Sequence, residues 1–357
     1  MTEKQKGKNK SIYKERRAKG YLVAGSLLLV ILLVISGSGC ISPDAGTQEE
    51  PEKTPEKMDK IVISSPFSPL IMPMAYIVEN DMLRDVADET ELVVWNNPDQ
   101  LRAMMTQEQA QFVSVPSNVA STFYNKGTDL KLLRVSIWGV FYIISINTSV
   151  ESLHDLEGEE VYVPFRGDQP DLVFQYICQQ AGIDPFEDFQ IQYVASPLDV
   201  TINVLSGNAE HAFTLEPGAA VAIMKAEEQG LVVERVIDIQ AEWGNATGQD
   251  PRLPNAGVVA LPNIRDHPEA IEAFCEAYDE AVLWSNENPH KAALLAARYV
   301  EGVNAEAYEE SLNYTIFESV SAKESREELE TMFTCFMDLN PATIGGKLPD
   351  DGFYYEK

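Results

Sequence analysis

Phe112-Val113-Ser114-Val115-Pro116-Ser117 and Phe213-Thr214-Leu215-Glu216-Pro217-Gly218 are written to one plan. Each runs a short apolar strand into a proline and a small residue, and a helix opens there. The likeness extends outward. Residues 101–135 read helix, strand, Pro, helix, strand, and residues 202–236 repeat that order at a constant offset of 101, so that Arg134-Val135 meets Arg235-Val236. A helix opening just past a strand end aims free backbone N–H groups at the crevice there. Two such units predict two α/β lobes with a ligand-capturing cleft between them. Identities between the copies are few, and strand–turn–helix units occur in any βα-rich chain.

The 357 residues exceed what one compact core usually serves, so two domains are the default. The formal net charge is −29. The first 39 residues hold eight Lys/Arg and two Asp/Glu, which leaves 19 basic and 54 acidic residues for the rest, a net −35. Such a surface repels phosphate and excludes nucleic acid as a partner. It favours solubility and does not fix the charge of a ligand, because helix N-termini and a single Arg set a pocket's local field.

The N-terminus reads as an address. Residues 3–19 are Lys/Arg-rich, residues 21–35 are apolar or small, and Ser36-Gly37-Ser38-Gly39-Cys40 follows. A basic region, a short apolar run and small residues before a cysteine form a secretory signal. The apolar run is short for a span of about 20 residues. Ser38-Gly39-Cys40 resembles a lipobox, although Gly37 stands where Leu is usual, so residues 1–40 are expected to be a signal and lipoprotein anchor with Cys40 lipidated. An uncleaved anchor is the alternative. Residues 41–59, with Pro43, Pro51 and Pro55 among Glu, Thr and Lys, are expected to be a disordered tether. The remaining cysteines, Cys178, Cys275 and Cys335, have no CxxC spacing, and His154, His211, His267 and His290 are scattered, so neither a metal site nor a cofactor is expected. A Cys275–Cys335 disulfide stays open. Sequons stand at Asn147, Asn245 and Asn313.

The folded part begins near Ile61. Strands are expected at 60–64, 91–95, 111–115 and 130–135, with helices at 71–81, after Asn97-Pro98, and at 117–126, an alternation that implies a mostly parallel sheet with ligands beyond its strand C-termini. Residues 140–146 read as a buried strand that crosses into the second lobe, and 257–261 as one that returns. Strands at 160–163 and 189–194 and helices at 170–181 and 196–206 precede the second repeat unit. From His267 to Asp338 the pattern is helical throughout and is expected to pack on the outside of lobe one.

Several stretches resemble the substrate-binding proteins of nitrate-, sulfonate- and taurine-type ABC transporters, a family that also includes binders of thiamine precursors. They are the turn and strand Ser152-Leu153-His154-Asp155-Leu156-Glu157-Gly158-Glu159-Glu160-Val161, then Leu205-Ser206-Gly207-Asn208-Ala209-Glu210-His211-Ala212, Glu216-Pro217, and His267-Pro268-Glu269-Ala270. The chain departs from the family pattern at Glu108-Gln109-Ala110-Gln111, at His211 where Asp is usual, and at Leu215 where Trp is frequent. The resemblance implies the type II periplasmic-binding-protein fold: two Rossmann-like α/β lobes joined by two crossover segments, with a C-terminal helical segment on lobe one. Lobe one is then expected to comprise 60–142 and 259–345, and lobe two 143–258.

The residues expected to touch a ligand follow from these elements. Lobe one offers Ser64, Ser65, Phe67 and Ser68 after the first strand, Pro116, Ser117 and Asn118 at a helix opening, and Trp138 just past the fourth strand. Lobe two offers Arg166, Gly167 and Asp168 before a helix, Glu216 at a strand end, and Trp243 on a Gly-rich loop marked by Gly244, Gly248 and Pro251. Arg166 presents a fork suited to sulfonate, carboxylate or phosphate. Glu216 suits a cationic group or holds the hinge. Ser64, Ser117 and Asp168 read equally well as caps, Arg166 as a surface ion pair, and both tryptophans as core. The function implied is capture of a small polar or anionic organic solute at the outer face of the cytoplasmic membrane, by a monomer that hands it to an ABC permease with its ATPase. The alternative is an enzyme of the same fold acting on a pyrimidine-like or menaquinone-precursor substrate, against which the export signal argues.

Overall fold

The computed structural model describes residues 57–300 and 305–356. The expected signal, Cys40 and most of the tether lie outside the described residues. Strand β1 (Met58–Pro66) begins two residues inside the expected tether, because Met58 pairs with Ala87 and packs on the core. Among the described residues no helix is long and apolar enough to cross a membrane.

Eleven strands form two sheets among the described residues. Lobe one is built on β1, β2 (Ala87–Trp95), β3 (Phe112–Pro116), β4 (Lys131–Gly139), β10 (Ala256–Ala260) and β11 (Ile316–Ser321), in the order β11-β4-β10-β3-β1-β2. Lobe two is built on β5 (Phe141–Ser145), β6 (Glu160–Pro164), β7 (Gln190–Val194), β8 (His211–Leu215) and β9 (Glu234–Asp238), in the order β7-β6-β8-β5-β9.

The two orders are one order. Matching β1, β2, β3 and β4 to β6, β7, β8 and β9 leaves β10 in the first sheet where β5 stands in the second. Each of those two strands comes from the chain's crossing between lobes, and each runs antiparallel to both its neighbours. This corrects the expectation of a mostly parallel sheet. A strand arriving from the other lobe enters at the C-terminal edge of β3 and β4, so it must run against them. The Phe112/Phe213 and Arg134/Arg235 matches fall on equivalent strands, β3/β8 and β4/β9.

Helices α1 (Ile71–Glu79), α2 (Pro98–Thr106) and α3 (Ser117–Asn125) connect lobe one. Asn97 caps α2, its side chain accepting from the Asp99 and Gln100 amides. In lobe two, α4 (Gln169–Gln180), α5 (Pro197–Leu205), α6 (Gly218–Glu228) and α7 (Ile239–Thr247) do the same. Then come α8 (Pro268–Glu287), α9 (Pro289–Ala296), α10 (Ala305–Ser311) and α11 (Arg326–Leu339). The main core joins sheet one to α1 and α8, with Phe112 stacked on Phe274 at 3.8 Å between centroids. Full burial of such a ring contributes about 1.5–3 kcal/mol. A smaller core of Ile144, Val200, Val204, Ala212, Ala219 and Ala222 lies under sheet two.

The C-terminal region is not helical throughout. β11 interrupts it, because the β-branched and aromatic run Ile316-Phe317-Glu318-Ser319-Val320 pairs antiparallel with β4. The region packs on lobe one through α8 on α1 and through the 3₁₀ turn Pro341–Ile344 on α3, and it also reaches lobe two through α11 on α4 and α10 on α6. Cys178, Cys275 and Cys335 are buried thiols, and no disulfide links Cys275 to Cys335.

Candidate functional site

The strand C-termini of the two lobes meet where the chain first crosses. β4 ends at Gly139 and β5 starts at Phe141, opposite Leu215 at the end of β8. Pro116, the last residue of β3, pairs with Ala256 at the start of the returning strand. The crossing is pinned by Gln240 of α7. Its Oε1 accepts from the Val140 and Phe141 amides at 3.0 and 2.8 Å, and its Nε2 donates to Phe141 O at 3.0 Å. Asp238 caps α7 and holds Gln240 Nε2 at 2.9 Å. Burial pushes the Asp238 carboxyl above its usual range.

On lobe one, most of the expected hydroxyls are already spent. Ser64 Oγ donates to Val93 O at 2.8 Å, Ser65 Oγ to Pro66 O at 3.4 Å, and Ser68 Oγ accepts from the Leu70 amide at 3.2 Å. Ser64 and Ser65 are fully buried, while Phe67, Ser68 and Pro116 are half-buried. Trp95 lies beside them, opposite Pro66, and its Nε1 donates to Ser114 O at 3.3 Å, tying the ends of β2 and β3. At the α3 opening the Ser117 amide donates to Asn255 O at 3.0 Å, and Asn118 Nδ2 to Thr343 O at 3.3 Å. Ser117 Oγ and Asn118 Oδ1 are enclosed with no hydrogen-bond partner. Both are polar atoms that folding has desolvated without compensation, which is costly unless a further group arrives.

Lobe two presents its residues differently. Arg166, Gly167 and Asp168 are exposed on the turn between β6 and α4. That turn is held by Phe165 at φ 59° and Gly167 at φ 76°. A bulky residue in the left-handed region costs on the order of 1–3 kcal/mol and persists only where its surroundings fix it. Here Asp171 accepts from the Gly167 amide at 2.7 Å and from Tyr193 Oη at 3.0 Å, and the Arg166 guanidinium lies 4.9 Å from the Tyr193 ring centre. Among the described residues Arg166 has no carboxylate partner, so the alternative of a surface ion pair does not hold. Desolvation raises the Asp168 carboxyl against the pull of Arg102 on α2, although the residue keeps an exposed face.

Glu216 does not face outward. It is fully buried, and its Oε1 accepts from Arg235 Nε at 2.6 Å, with Arg235 Nη2 in ion-pair contact at 2.5 Å, while the Ala220 amide donates to Oε2 at 3.2 Å. Burial pushes its carboxyl up against the pull of Arg235. Its role is an internal ion pair, which leaves it no vacancy for a cationic solute group. The peptide bond from Glu216 to Pro217 is cis.

The two tryptophans are packing residues. Trp138 lies inside β4, not after it, because the strand runs on to Gly139. It is fully buried, with Nε1 donating to Glu318 O at 3.0 Å and the Arg252 guanidinium 4.3 Å from its ring. Arg252 is in turn gripped by Glu328 of α11 at 2.9 and 2.5 Å. Trp243 is buried in α7, in place of the expected loop. Gly244 leaves room in the helix for Pro251, whose Cα would lie 2.9 Å from an added Cβ, and Gly248 in the left-handed region ends the helix.

The structure thus gathers Ser64–Ser68 with Pro116–Asn118 on one strand edge, sets Arg166–Asp168 apart on the other lobe, and removes Trp138, Trp243 and Glu216 into packing or pairing. Sequence reasoning missed Trp95, Asn255, Gln240 and Arg235. Only Arg235 carried a signal, through its match with Arg134. A separate open groove of about 730 Å³ runs along α11, lined by Tyr176, Arg326, Glu330, Thr334, Cys335 and Asp338. None of the residues expected to touch a ligand borders it.

No family model matches the chain, and no curated protein does. Solved structures do. A structure described as an ABC transporter from Parabacteroides distasonis is 21% identical with a TM-score of 0.67, covering 84% of this chain and 99% of that one. The periplasmic aliphatic sulphonate-binding protein of Escherichia coli is 16% identical with a TM-score of 0.63, covering 81% and 96%. The periplasmic nitrate-binding protein of Synechocystis is 14% identical with a TM-score of 0.63, covering 81% and 84%. At these identities the likeness establishes the fold: two α/β lobes of the periplasmic-binding-protein type.

Proposed function

We propose that this chain is an extracytoplasmic solute-binding protein of an ATP-driven importer, with the lobes divided near residues 140 and 255, so that β5 falls to lobe two and β10 to lobe one, a few residues before the expected divisions at 142/143 and 258/259. It captures a small polar or anionic organic solute between the lobes and delivers it to a membrane permease. The reading rests on one observation above the rest. Two lobes that share one five-strand order, with β11 added at the edge of the first, meet at their strand C-termini, at a crossing pinned by Gln240, so the crevice that binds ligands in such sheets is shared by both. Ligand contacts to both lobes favour the closed arrangement.

The groups on each side fit the reading. Ser117 Oγ and Asn118 Oδ1 are enclosed and await partners on lobe one, while Arg166 carries a charge with no acid partner on lobe two. The names of the neighbours support it: proteins described as binding aliphatic sulphonate and nitrate share the fold. Cys40 is the proposed lipid attachment, which holds a monomer at the outer face of the cytoplasmic membrane.

A thermal-shift screen of residues 41–357 against sulfonates, carboxylates, nitrate and pyrimidines tests the reading. A bound solute at 100 times its Kd stabilises by about 2.7 kcal/mol and is recovered unchanged. Chemical conversion of the bound compound by the purified protein overturns the reading.

A further inference from the structure

Residues 305–315 belong to lobe one by connection and touch lobe two by contact. They stand between α9, which packs against α1 and α8, and β11, which pairs with β4. Yet α10 packs against α6 of lobe two. Just beyond it, in the 3₁₀ turn Leu312–Tyr314, the ring of Tyr314 lies over the guanidinium of Arg235 at 3.6 Å. Tyr142 of β5 closes the same contact: its Oη donates to Tyr314 O at 2.7 Å, and its ring meets that of Tyr314 edge-on at 6.0 Å. At the other end, Tyr308 packs edge-on against Phe67 of lobe one at 5.7 Å, and its hydroxyl is fully enclosed with no partner. The excursion therefore spans from the end of β1 to α6 and the starts of β5 and β9.

We infer that residues 305–315 are an interlobe strap, latched to lobe two by Tyr314 on Arg235, and that undocking of this strap accompanies opening of the lobes. Arg235 suits the role because Glu216 already fixes its charge and orientation from within lobe two. The outer face of the guanidinium is left for an aromatic ring, which a planar cation receives without needing a second acid. The latch is thus built from one permanent contact, Glu216 to Arg235, and from the contacts that Tyr314 makes between lobes with Arg235 and Tyr142. Lobe two keeps its ion pair whether or not the strap is docked. The inference deepens the solute-capture reading by naming the element that moves, but its test needs no solute.

Hydrogen–deuterium exchange on the full chain compares wild type with Tyr314→Leu. Loss of the ring is expected to speed exchange of the 305–315 peptides by about tenfold, with a smaller rise in 218–228, while β1 and β3 exchange as in wild type. Tyr142→Phe, which removes only the hydroxyl bond to Tyr314 O, is expected to speed the same 305–315 peptides by a smaller factor. Unchanged exchange at 305–315 in both variants overturns the inference. So does a uniform rise across both lobes, which reports general destabilisation. A chain that binds no compound in the thermal screen leaves either outcome readable.

Discussion

The sharpest energetic consequence concerns the Glu216–Arg235 pair. Glu216 is 0% exposed and Arg235 8%, and the carboxylate takes two guanidinium nitrogens at 2.6 and 2.5 Å. Glu216→Gln keeps shape and one acceptor while stranding a buried cation. Breaking a buried pair from one side costs about 3–5 kcal/mol, because the remaining charge is desolvated and uncompensated. The faces of Tyr314 and Tyr142 stay over the guanidinium and offset about 1 kcal/mol of that. A net loss of about 3 kcal/mol lowers the Tm by about 4–6 °C in a protein with about 300 folded residues, at an unfolding entropy of about 2.1 cal/mol/K per residue. Differential scanning calorimetry of residues 41–357 at pH 7.5 reads it directly. The double variant Glu216→Gln with Arg235→Met removes the stranded charge and is expected to recover most of the loss. A single variant melting within about 2 °C of wild type, or a double variant no more stable than the single, refutes the reasoning.

Three other outcomes are expected. Arg166→Ala weakens an anionic solute by more than about tenfold in isothermal titration, since a charge-assisted fork is lost; equal affinity removes Arg166 from the pocket. Burial pushes the His211 imidazole below its ordinary 6.5, with Ser145 Oγ at 2.9 Å from Nδ1. The unfolded chain then takes up a proton before the folded one, so stability falls as pH drops from 6.5 towards the folded pKa, by up to about 1.4 kcal/mol per pH unit. Urea midpoints for His211→Asn between pH 7.5 and 5.5 should show a flatter slope than wild type, and an identical slope would assign the effect elsewhere. Gly257→Ala places a Cβ 1.9 Å from Arg134 O on the neighbouring strand. It is expected to cost about 3 kcal/mol or more and to reduce soluble yield sharply, and a variant of wild-type urea midpoint would show that β10 shifts freely.

What the sequence discloses and what it withholds divide along the range of the forces involved. The strand–Pro–helix units are legible because their chemistry is local: short apolar runs make β3 and β8, buried on both faces, and a proline with a small residue opens α3 and α6. The Asn97-Pro98 start is legible for the same reason, an Asn side chain capping amides two and three residues on. The antiparallel insertion of β10 and β5 is not local. It follows from the direction in which a crossing chain enters a sheet, which no window around 257–261 contains. β11 hides in a helical region because its pairing partner, β4, lies some 180 residues away, as the Trp138–Glu318 bond shows. The site divides in the same way. Hydroxyls and side-chain amides at strand ends are readable as donors, but whether they are spent is decided by neighbours such as Val93 O for Ser64 and Thr343 O for Asn118. Glu216 illustrates the limit most clearly. Its place at a strand end is written in the repeat, and so is Arg235 in the matched position of Arg134, which is itself gripped by Asp279 at 2.8 and 2.9 Å. Both repeats thus pair an arginine with a carboxylate, but the acid comes from α8 in one, where the pair is part-exposed, and from the β8 end across β5 in the other, where it is buried. That difference frees the outer face of Arg235 for Tyr314, and so allows lobe two, at β9, to be latched from outside.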